Sequence, residues 1–285
     1  MKVLPVAFDS FGVRSMATFI ETSDIRVFID PGVSVSPDRY SLPPHRIELD
    51  RHREMWEAIT RWVGMSDIVI VTHYHFDHHN PDHPEIFKDK DVLLKHPREF
   101  LNQSQKERAA NFLSRIEPYA KSVNIADGKT FNFGNSRVVF SEPVLHGLTP
   151  QLGYVIQVLV EDDQRFLFTS DVHGPLNEGA RDFIIDMSPN TMIVDGPATY
   201  LIGSHYKKTD IDRAIGNLNE IIGRCRLANV IIDHHLLRDL NWLEYVSSLT
   251  KTKQGLSVRS AAGFLGKAED LLEAKRKDMY NGQPY

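Results

Sequence analysis

The sequence predicts an α/β fold, a four-layer αββα sandwich of two mixed sheets flanked by helices. One observation behind this prediction is that each half of the chain begins with strands joined by tight turns and then alternates strands with helices. Another is that several apolar strands end abruptly in aspartate or histidine, as they do at the sites of α/β proteins. With 285 residues, 41% of them hydrophobic, the chain is also long enough to bury a substantial core.

The length suits one large domain or two small ones, and we expect a single domain over residues 1–285. Its opening is predicted to be a meander of three strands, at residues 3–8, 16–21 and 25–29. Turn-forming residues separate these three apolar runs, which is typical of strands that neighbour each other in a sheet.

Two helical regions are expected beside the sheets. Residues from about 33 to 65 form an excursion, in which a segment rich in proline and serine precedes a helix at residues 47–63. Apolar residues recur at helical spacing in that helix, so it should cover one face of a sheet. Residues from about 241 to 285 contribute C-terminal helices, around 242–249 and 261–277.

The remaining elements are predicted from apolar runs and from amphipathic segments. Strands are expected at residues 67–71, 92–94, 123–125, 131–133, 137–140, 154–160, 165–169, 192–194 and 229–232. Helices are expected at residues 99–119 and 210–224. The first of these helices is charged, and its basic residues Lys106, Arg108 and Arg115 are expected to face solvent.

Charge and cysteine content narrow the class of protein. The formal net charge of −5 offers no global attraction for a polyanion, so nucleic acid is not favoured as a partner. The single cysteine, Cys225, excludes an internal disulfide and fits a reducing compartment. The first residues do not resemble a secretion signal, and no apolar run approaches the roughly 20 residues of a transmembrane helix. We therefore expect a cytoplasmic protein that does not associate with membranes.

A histidine-rich segment at residues 72–79, Thr-His-Tyr-His-Phe-Asp-His-His, directly follows a predicted buried strand. Packing gives no reason to crowd titratable side chains against an apolar strand, whereas a divalent ion satisfies them together. His73 and His75 can direct two nitrogens at one ion, and Asp77 and His78 can reach a second point nearby. One short loop can therefore serve two metal ions.

Other predicted strands also end in acids or histidines. Any one of these could instead be a turn residue. For Asp30 and Asp195, which have a glycine nearby, a turn and a functional site are equally favoured. Together they predict ligands around one edge of a sheet. The residues concerned are Asp30, His73, His146, Asp171, Asp195, Asp233 and His234.

The order of these motifs resembles the metallo-β-lactamase fold superfamily. The pattern H-x-H-x-D-H at residues 73–78 is followed by His146-Gly147, by Ser170-Asp171 after a hairpin strand, and by the strand-terminal His234. The resemblance covers residues from about 3 to 240. Within that superfamily, the chain is similar to the binuclear hydrolase branches typified by glyoxalase II and transfer-RNA 3′ processing nuclease. It also resembles a poorly characterised, largely archaeal group.

The resemblance implies a set of metal ligands. By analogy, the first ion would be held by His73, His75 and His146, the second by Asp77, His78 and His234, and Asp171 would bridge both. Asp30 would orient a ligand imidazole from behind.

His234 and His235 compete for the last ligand position. We prefer His234, because His234 and Arg238 resemble a nuclease pattern in which a ligand histidine is followed four residues later by arginine. Leu236 stands where that pattern has a serine. His235 is then expected to support the ligands, as Asp30 does, without binding a metal ion itself.

This donor set suits two divalent ions, zinc first, with iron or manganese as alternatives. No cysteine lies near any ligand position, unlike in the zinc β-lactamases that use one. We expect a metal-dependent hydrolase whose nucleophile is a metal-bridging hydroxide, oriented by Asp77. A leaving group needs a proton donor, and His173 or His205 could supply it.

The expected substrate is a small molecule or nucleotide containing a phosphodiester or another phosphate. Arg238, Lys207 and Lys208 are candidate contacts for the phosphate, although Arg238 could instead pair with Asp239 or Glu244. The rival within the same class is a lactone or thioester hydrolase.

An iron-dependent redox enzyme of the same fold is a further alternative. A diiron flavoprotein would be expected to replace His75 with an acid and to add a flavin domain, and the 285 residues show neither. A metal-binding scaffold without catalysis is disfavoured by the complete ligand set. The physiological substrate, the native metal and the oligomeric state are not predicted.

Overall fold

Two mixed β-sheets form the centre of the computed structural model, which describes residues 1–283. The first sheet has six strands in chain order: β1 (Lys2–Phe8), β2 (Met16–Glu21), β3 (Arg26–Ile29), β4 (Ile68–Val71), β5 (Asp91–Leu94) and β6 (Ser122–Ile125). The first three strands pair antiparallel, as the predicted meander requires. From β3 to β6 the pairing is parallel.

The second sheet repeats this plan with seven strands. Its strands, in chain order, are β7 (Thr130–Phe133), β8 (Ser136–Phe140), β11 (Val158–Glu161), β12 (Arg165–Phe168), β13 (Thr191–Val194), β14 (Asn229–Ile232) and β15 (Ser257–Arg259). The strands from β7 to β12 pair antiparallel, and those from β12 to β15 pair parallel. A small separate ladder joins β9 (Val144–Leu145) to β10 (Tyr154–Val155).

Helices flank the two sheets. They are α1 (Arg46–Met65), α2 (Gln103–Ile116), α3 (Glu178–Met187), α4 (Lys208–Arg224), α5 (Trp242–Leu249), α6 (Ala261–Phe264) and α7 (Arg276–Tyr280). Within residues 1–283, no helix has both the length and the apolar composition that a membrane crossing requires.

Three apolar layers hold the sandwich together. Inward-facing residues of both sheets, such as Ile29 and Phe168, form the layer between the sheets. The second layer packs α1 and α2 against the six-stranded sheet, through residues such as Phe112. The third packs α3, α4 and α5 against the seven-stranded sheet, through residues such as Leu218. The predicted αββα sandwich of two mixed sheets is therefore confirmed.

A buried ion pair ties the excursion to the C-terminal segment. The Arg276 guanidinium is fully buried and donates hydrogen bonds of 2.8 Å to both carboxylate oxygens of Glu48, at the start of α1. It also donates to the carbonyl oxygens of Ser36 and Leu42. An unpaired buried charge would be costly, so Arg276 and Glu48 stay paired. The bonds from Arg276 to the two carbonyl oxygens then hold residues 33–45 in place.

Several predicted elements are wrong in their extent. The helix expected over residues 261–277 is two short helices, α6 and α7, because Gly266, at φ +70°, follows the end of the first one. The strand expected over residues 154–160 is divided into β10 and β11, because the chain changes its partner strand there. α3 and β15 were not predicted.

The helix expected over residues 99–119 begins only at Gln103, where the Asn102 side chain caps the first turn, and it ends at Ile116. The helix expected over residues 210–224 begins two residues earlier, at Lys208. The single domain stays a prediction. Residues 284 and 285, the last of that domain and of the predicted C-terminal helices, lie outside the described residues.

Candidate metal centre

The polar residues that end the strands converge at one edge of the sandwich. Asp30 follows β3 and His73 follows β4, and these two strands are parallel neighbours. Asp171 follows β12, Asp195 follows β13 and His234 follows β14, which are also parallel neighbours. Because the carboxyl ends of parallel strands meet at the same edge, the two sheets present these side chains to a common centre.

Four of the residues at this edge adopt left-handed backbone conformations, although none is glycine. Their φ angles lie between +52° and +57°. Such conformations are costly for residues with a Cβ and tend to persist at functional sites, where the surrounding structure holds them. The residues are Asp30, Ser170, His173 and His234.

The Asp171 carboxylate lies at the middle of the cluster, and its two oxygens face different histidines. Oδ2 lies 3.1 Å from His146 Nε2 and 3.7 Å from His73 Nε2. Oδ1 lies 3.1 Å from His78 Nε2 and 3.6 Å from His234 Nε2. Asp171 therefore separates the histidines into two groups and reaches both.

The first group contains His73, His75, His146 and Asp171, and their ligand atoms all lie within 4.8 Å of one another. His73 Nε2 lies 3.1 Å from His75 Nδ1. Two nitrogens bound to one zinc ion at about 2.0 to 2.1 Å in tetrahedral geometry lie about 3.4 Å apart. These separations fit one small divalent ion.

The second group contains Asp77, His78 and His234. His234 Nε2 lies 3.6 Å from Asp77 Oδ2, which is the same distance as to Asp171 Oδ1. The buried atoms His78 Nε2 and Asp171 Oδ1 lie 3.1 Å apart but outside hydrogen-bond geometry, and neither has another partner among the described residues. Because buried polar atoms without partners are costly, this donor set also fits a divalent ion.

Carboxylates behind the centre fix the orientation of two of these imidazoles. Asp30 Oδ2 lies 2.7 Å from His78 Nδ1, and Thr72 donates hydrogen bonds to both Asp30 oxygens. Asp9 Oδ2 lies 2.7 Å from His234 Nδ1. In each case the carboxylate holds Nδ1, so that Nε2 points into the centre. Sequence reasoning missed Asp9, although it follows the end of β1 as the other site residues follow their strands.

Burial and charge set the protonation states in the centre. Burial lowers the pKa of His73 well below its ordinary value and that of His75 to about 3, so both imidazoles are neutral. Burial opposes ionisation of Asp171, but the charges of His78 and His234 outweigh it and hold the pKa of that carboxyl well below its ordinary value. Neutral imidazole and ionised carboxylate are the forms that bind divalent ions.

Comparison with known proteins agrees with this geometry. The family model of the metallo-beta-lactamase superfamily matches residues 11–251, which is most of the 285-residue chain. The chain belongs to the metallo-beta-lactamase superfamily. The resemblance predicted from the sequence is thereby confirmed, as is the similarity to an archaeal group.

One relative, a UPF0282 protein of Korarchaeum cryptofilum, is 45% identical over 288 residues, covering 100% of this chain and 96% of its own length. Among solved structures, isothiocyanate hydrolase from Delia radicum gut bacteria has a TM-score of 0.50 at 12% identity, over 99% of this chain and 93% of its own. CmlA, a diiron β-hydroxylase from Streptomyces venezuelae, has a TM-score of 0.52 at 12% identity, over 90% of this chain. This chain spans 51% of CmlA. At such low identity, these structures show the superfamily fold alone.

His235 and His173 form a further group beside the metallo-beta-lactamase centre, together with Asp195. His235 Nδ1 lies 2.9 Å from Asp195 Oδ2, and its Nε2 lies 3.8 Å from Asp171 Oδ2. His173 Nδ1 lies 2.6 Å from the Tyr206 hydroxyl, while its Nε2 is buried without a partner among residues 1–283. Both His234 and His235 thus face Asp171, on opposite oxygens, and the choice of His234 as ligand stays a prediction.

The structure does not bring three of the predicted residues to the centre. His205 is exposed, its Nδ1 lies 3.2 Å from Ser204 Oγ, and it does not line the cavity beside Asp171. The buried position in its loop is taken by Tyr206 instead. Lys207 and Lys208 are also exposed, at the start of α4.

A cavity of about 480 Å³ opens over the metal centre. Its lining includes His75, His146 and Asp171, and also the three arginines Arg14, Arg108 and Arg238. Its apolar lining residues are Val35, Pro37, Phe76, Leu152 and Leu201. The prediction that Arg108 only faces solvent is therefore wrong. Helix α2 runs beside the cavity, and Arg108 is one of the residues that line it.

Arg238 reaches the cavity but is nearly buried, with 4% of its side chain exposed. Its Nε donates to Asp9 Oδ1 at 2.8 Å, and its Nη1 donates to the Tyr200 hydroxyl at 3.1 Å. Its partner is therefore Asp9, and neither Asp239 nor Glu244.

Gly32 supports the histidine-rich loop from behind. A Cβ atom on Gly32 would lie 2.2 Å from the backbone nitrogen of His79 and 2.5 Å from backbone atoms of His78. Only a glycine therefore lets the chain after β3 approach this loop so closely.

We predict that Gly32→Ala lowers the free energy of unfolding by about 3 kcal/mol, because the added methyl group must push the loop backbone aside. Denaturant unfolding followed by circular dichroism measures this loss. Gly64→Ala is the matched control, because a Cβ at Gly64 meets no atom within 4 Å. The control should stabilise α1 by up to about 1 kcal/mol. Equal effects of the two changes would contradict the close approach at Gly32.

Proposed function

We propose that the protein is a binuclear metal-dependent hydrolase that acts on a phosphodiester or another phosphate-bearing compound. The observation that carries the proposal is the position of Asp171, whose two oxygens face two separate groups of histidines. A carboxylate in that position can bridge two ions, whereas a mononuclear site has no use for the second group. Two metal ions per chain, zinc first and iron or manganese as alternatives, are part of this proposal.

Two ions held there would lower the pKa of bound water from 15.7 toward about 7, and so would supply a hydroxide nucleophile at neutral pH. Asp77 is the most open carboxylate of the centre, with 17% of its side chain exposed against 2% for Asp171. Its carboxylate lines the cavity and can accept a hydrogen bond from the nucleophile, which orients the attack.

His173 is the hydrogen-bond donor to the leaving group in this proposal. Burial raises the pKa of Tyr206, so its hydroxyl stays protonated and can donate to His173 Nδ1. Burial lowers the pKa of His173, so the ring is neutral and carries its one proton on Nε2. That nitrogen has no partner among the described residues, and His173 lines the cavity, so its N–H can donate a hydrogen bond to a substrate oxygen.

The charge of the cavity favours a phosphate-bearing substrate. Three arginines reach the cavity, although Arg14 and Arg238 are paired with Glu273 and Asp9, and the two acids that line it, Asp77 and Asp171, would be occupied by metal ions. Cations beyond the metals become more valuable as negative charge grows in the transition state of a phosphodiester. A neutral lactone or thioester gains less from them.

A lactone or thioester hydrolase is the second candidate, and the apolar lining of the cavity favours it. Five apolar side chains, among them Phe76 and Leu152, offer a surface that a neutral ester would cover well. The same histidine and aspartate centre would serve that reaction, so only substrates can distinguish the two candidates.

We expect metal analysis of the purified protein to find about two ions per chain, and a parallel screen of phosphodiesters, lactones and thioesters to find phosphodiester cleavage. Arg238→Ala should keep both ions and cost a phosphodiester about 2 to 4 kcal/mol in kcat/KM. Lys207→Ala, at an exposed lysine outside the cavity, is the matched control and should change little. Strong lactonase or thioesterase turnover without phosphodiester cleavage, and without an effect of Arg238→Ala, would favour the second candidate.

A further inference from the structure

Arg108 differs from the other arginines at the cavity in having no acidic partner. Arg14 donates two hydrogen bonds of 2.6 Å to Glu273, and Arg238 is paired with Asp9. Within residues 1–283, no side chain or carbonyl oxygen accepts a hydrogen bond from the Arg108 guanidinium, and no acid lies within ion-pair distance of it. Its positive charge is therefore not neutralised by the protein.

An aromatic ring holds this guanidinium at the cavity mouth. The Arg108 guanidinium carbon lies 4.5 Å from the centre of the Phe76 ring. Phe76 stands between His75 and Asp77, two predicted ligands, and 47% of it is exposed. A guanidinium stacked on a ring face keeps its N–H groups free at its edges, where they can bind a carboxylate or phosphate with two parallel hydrogen bonds.

The helix that carries Arg108 is anchored to the metal centre. Gln105 lies one turn earlier on α2 and is fully buried. Its Nε2 lies 3.4 Å from His75 Nε2 and donates to the carbonyl oxygen of Leu152 at 2.8 Å. Residues three apart share one face of a helix, so the contact that fixes Gln105 also fixes the position of Arg108.

We propose that Arg108 binds an anionic group of the substrate that is separate from the group being hydrolysed. The scissile group must reach Asp171, which is 2% exposed at the cavity floor, while Arg108 stacks on a ring that is half exposed at the mouth. This inference rests on the proposed hydrolase function and narrows it. The substrate is a phosphodiester that carries a second phosphate or carboxylate a short distance from the scissile bond.

The test compares two nucleotides that differ only in a remote phosphate, thymidine 3′,5′-bisphosphate and thymidine 5′-phosphate. Calorimetric titration of the metal-loaded protein with each should show about tenfold tighter binding of the bisphosphate, as expected for one charge-assisted contact. In Arg108→Gln the two nucleotides should bind with about equal affinity, and the metal content should be unchanged. Lys106→Gln removes the same charge from an exposed site on the same helix and should keep the advantage.

Equal affinities for the two nucleotides in the wild-type protein would overturn the inference, as would an advantage that survives in Arg108→Gln. Binding of neither nucleotide at millimolar concentration would overturn it as well. The p-nitrophenyl 5′ esters of the same two nucleotides separate this inference from the proposed function. An Arg108-dependent preference in binding without hydrolysis of either ester would retain the anion site and reject the phosphodiesterase.

Discussion

Asp171→Ala should lower the metal occupancy of both positions and lower turnover by more than about 100-fold. The reason is geometric, because among the described residues only Asp171 has oxygens that lie 3.1 Å from a histidine of each group. Its removal also takes away the carboxylate oxygens that lie between His78 and His234 in the second group and between His73 and His146 in the first, so each position loses a ligand.

Metal content by plasma emission spectrometry and turnover on the substrate class found by screening measure the two effects. Asp182→Ala is a suitable control, because Asp182 is an exposed acid on α3, outside the centre. Asp171→Asn adds a stricter comparison, since it keeps the size of the side chain and removes the charge. A variant that retains two ions and normal turnover would remove Asp171 from the bridging role.

His234→Ala should leave about one ion per chain, whereas His235→Ala should retain about two and at most change the rate. His234 Nε2 lies 3.6 Å from both Asp77 Oδ2 and Asp171 Oδ1, so its loss leaves the second group with His78 and carboxylates alone. Burial and Arg238 oppose protonation of His234, yet attraction to Asp171 and Asp9 outweighs them and raises its pKa to about 9. An ion must displace that proton, so occupancy of the second position should also increase as the pH rises toward 9.

His235 lacks such a place in the second group. Its Nδ1 is held by Asp195, and its Nε2 is 3.8 Å from Asp171 Oδ2, on the side of the first group, which already has three histidines. Metal content of the two alanine variants measured at the same pH decides between them, with His205→Ala as the control for loss of an exposed imidazole. One ion in His235→Ala and two in His234→Ala would move the ligand by one residue.

The fold class and most candidate ligands could be predicted from the sequence, because both depend on local patterns. A short β-branched run predicts a strand, and a polar residue directly after it predicts a side chain at the end of that strand. This reasoning predicted His73, Asp171 and His234 at one edge, and the structure brings these side chains together there. It could have found Asp9 too, which follows β1 in the same way.

Only the tertiary structure decided which side chains meet. His234 and His235 are adjacent in the sequence, yet they face opposite oxygens of Asp171, because the chain turns through a left-handed residue at φ +56°. Likewise, the amphipathic pattern of α2 shows which face of the helix is apolar. It does not show that Arg108, on the polar side of that helix, lines the cavity. Periodicity reports burial along one element, whereas a site depends on the approach of elements that are far apart in the sequence.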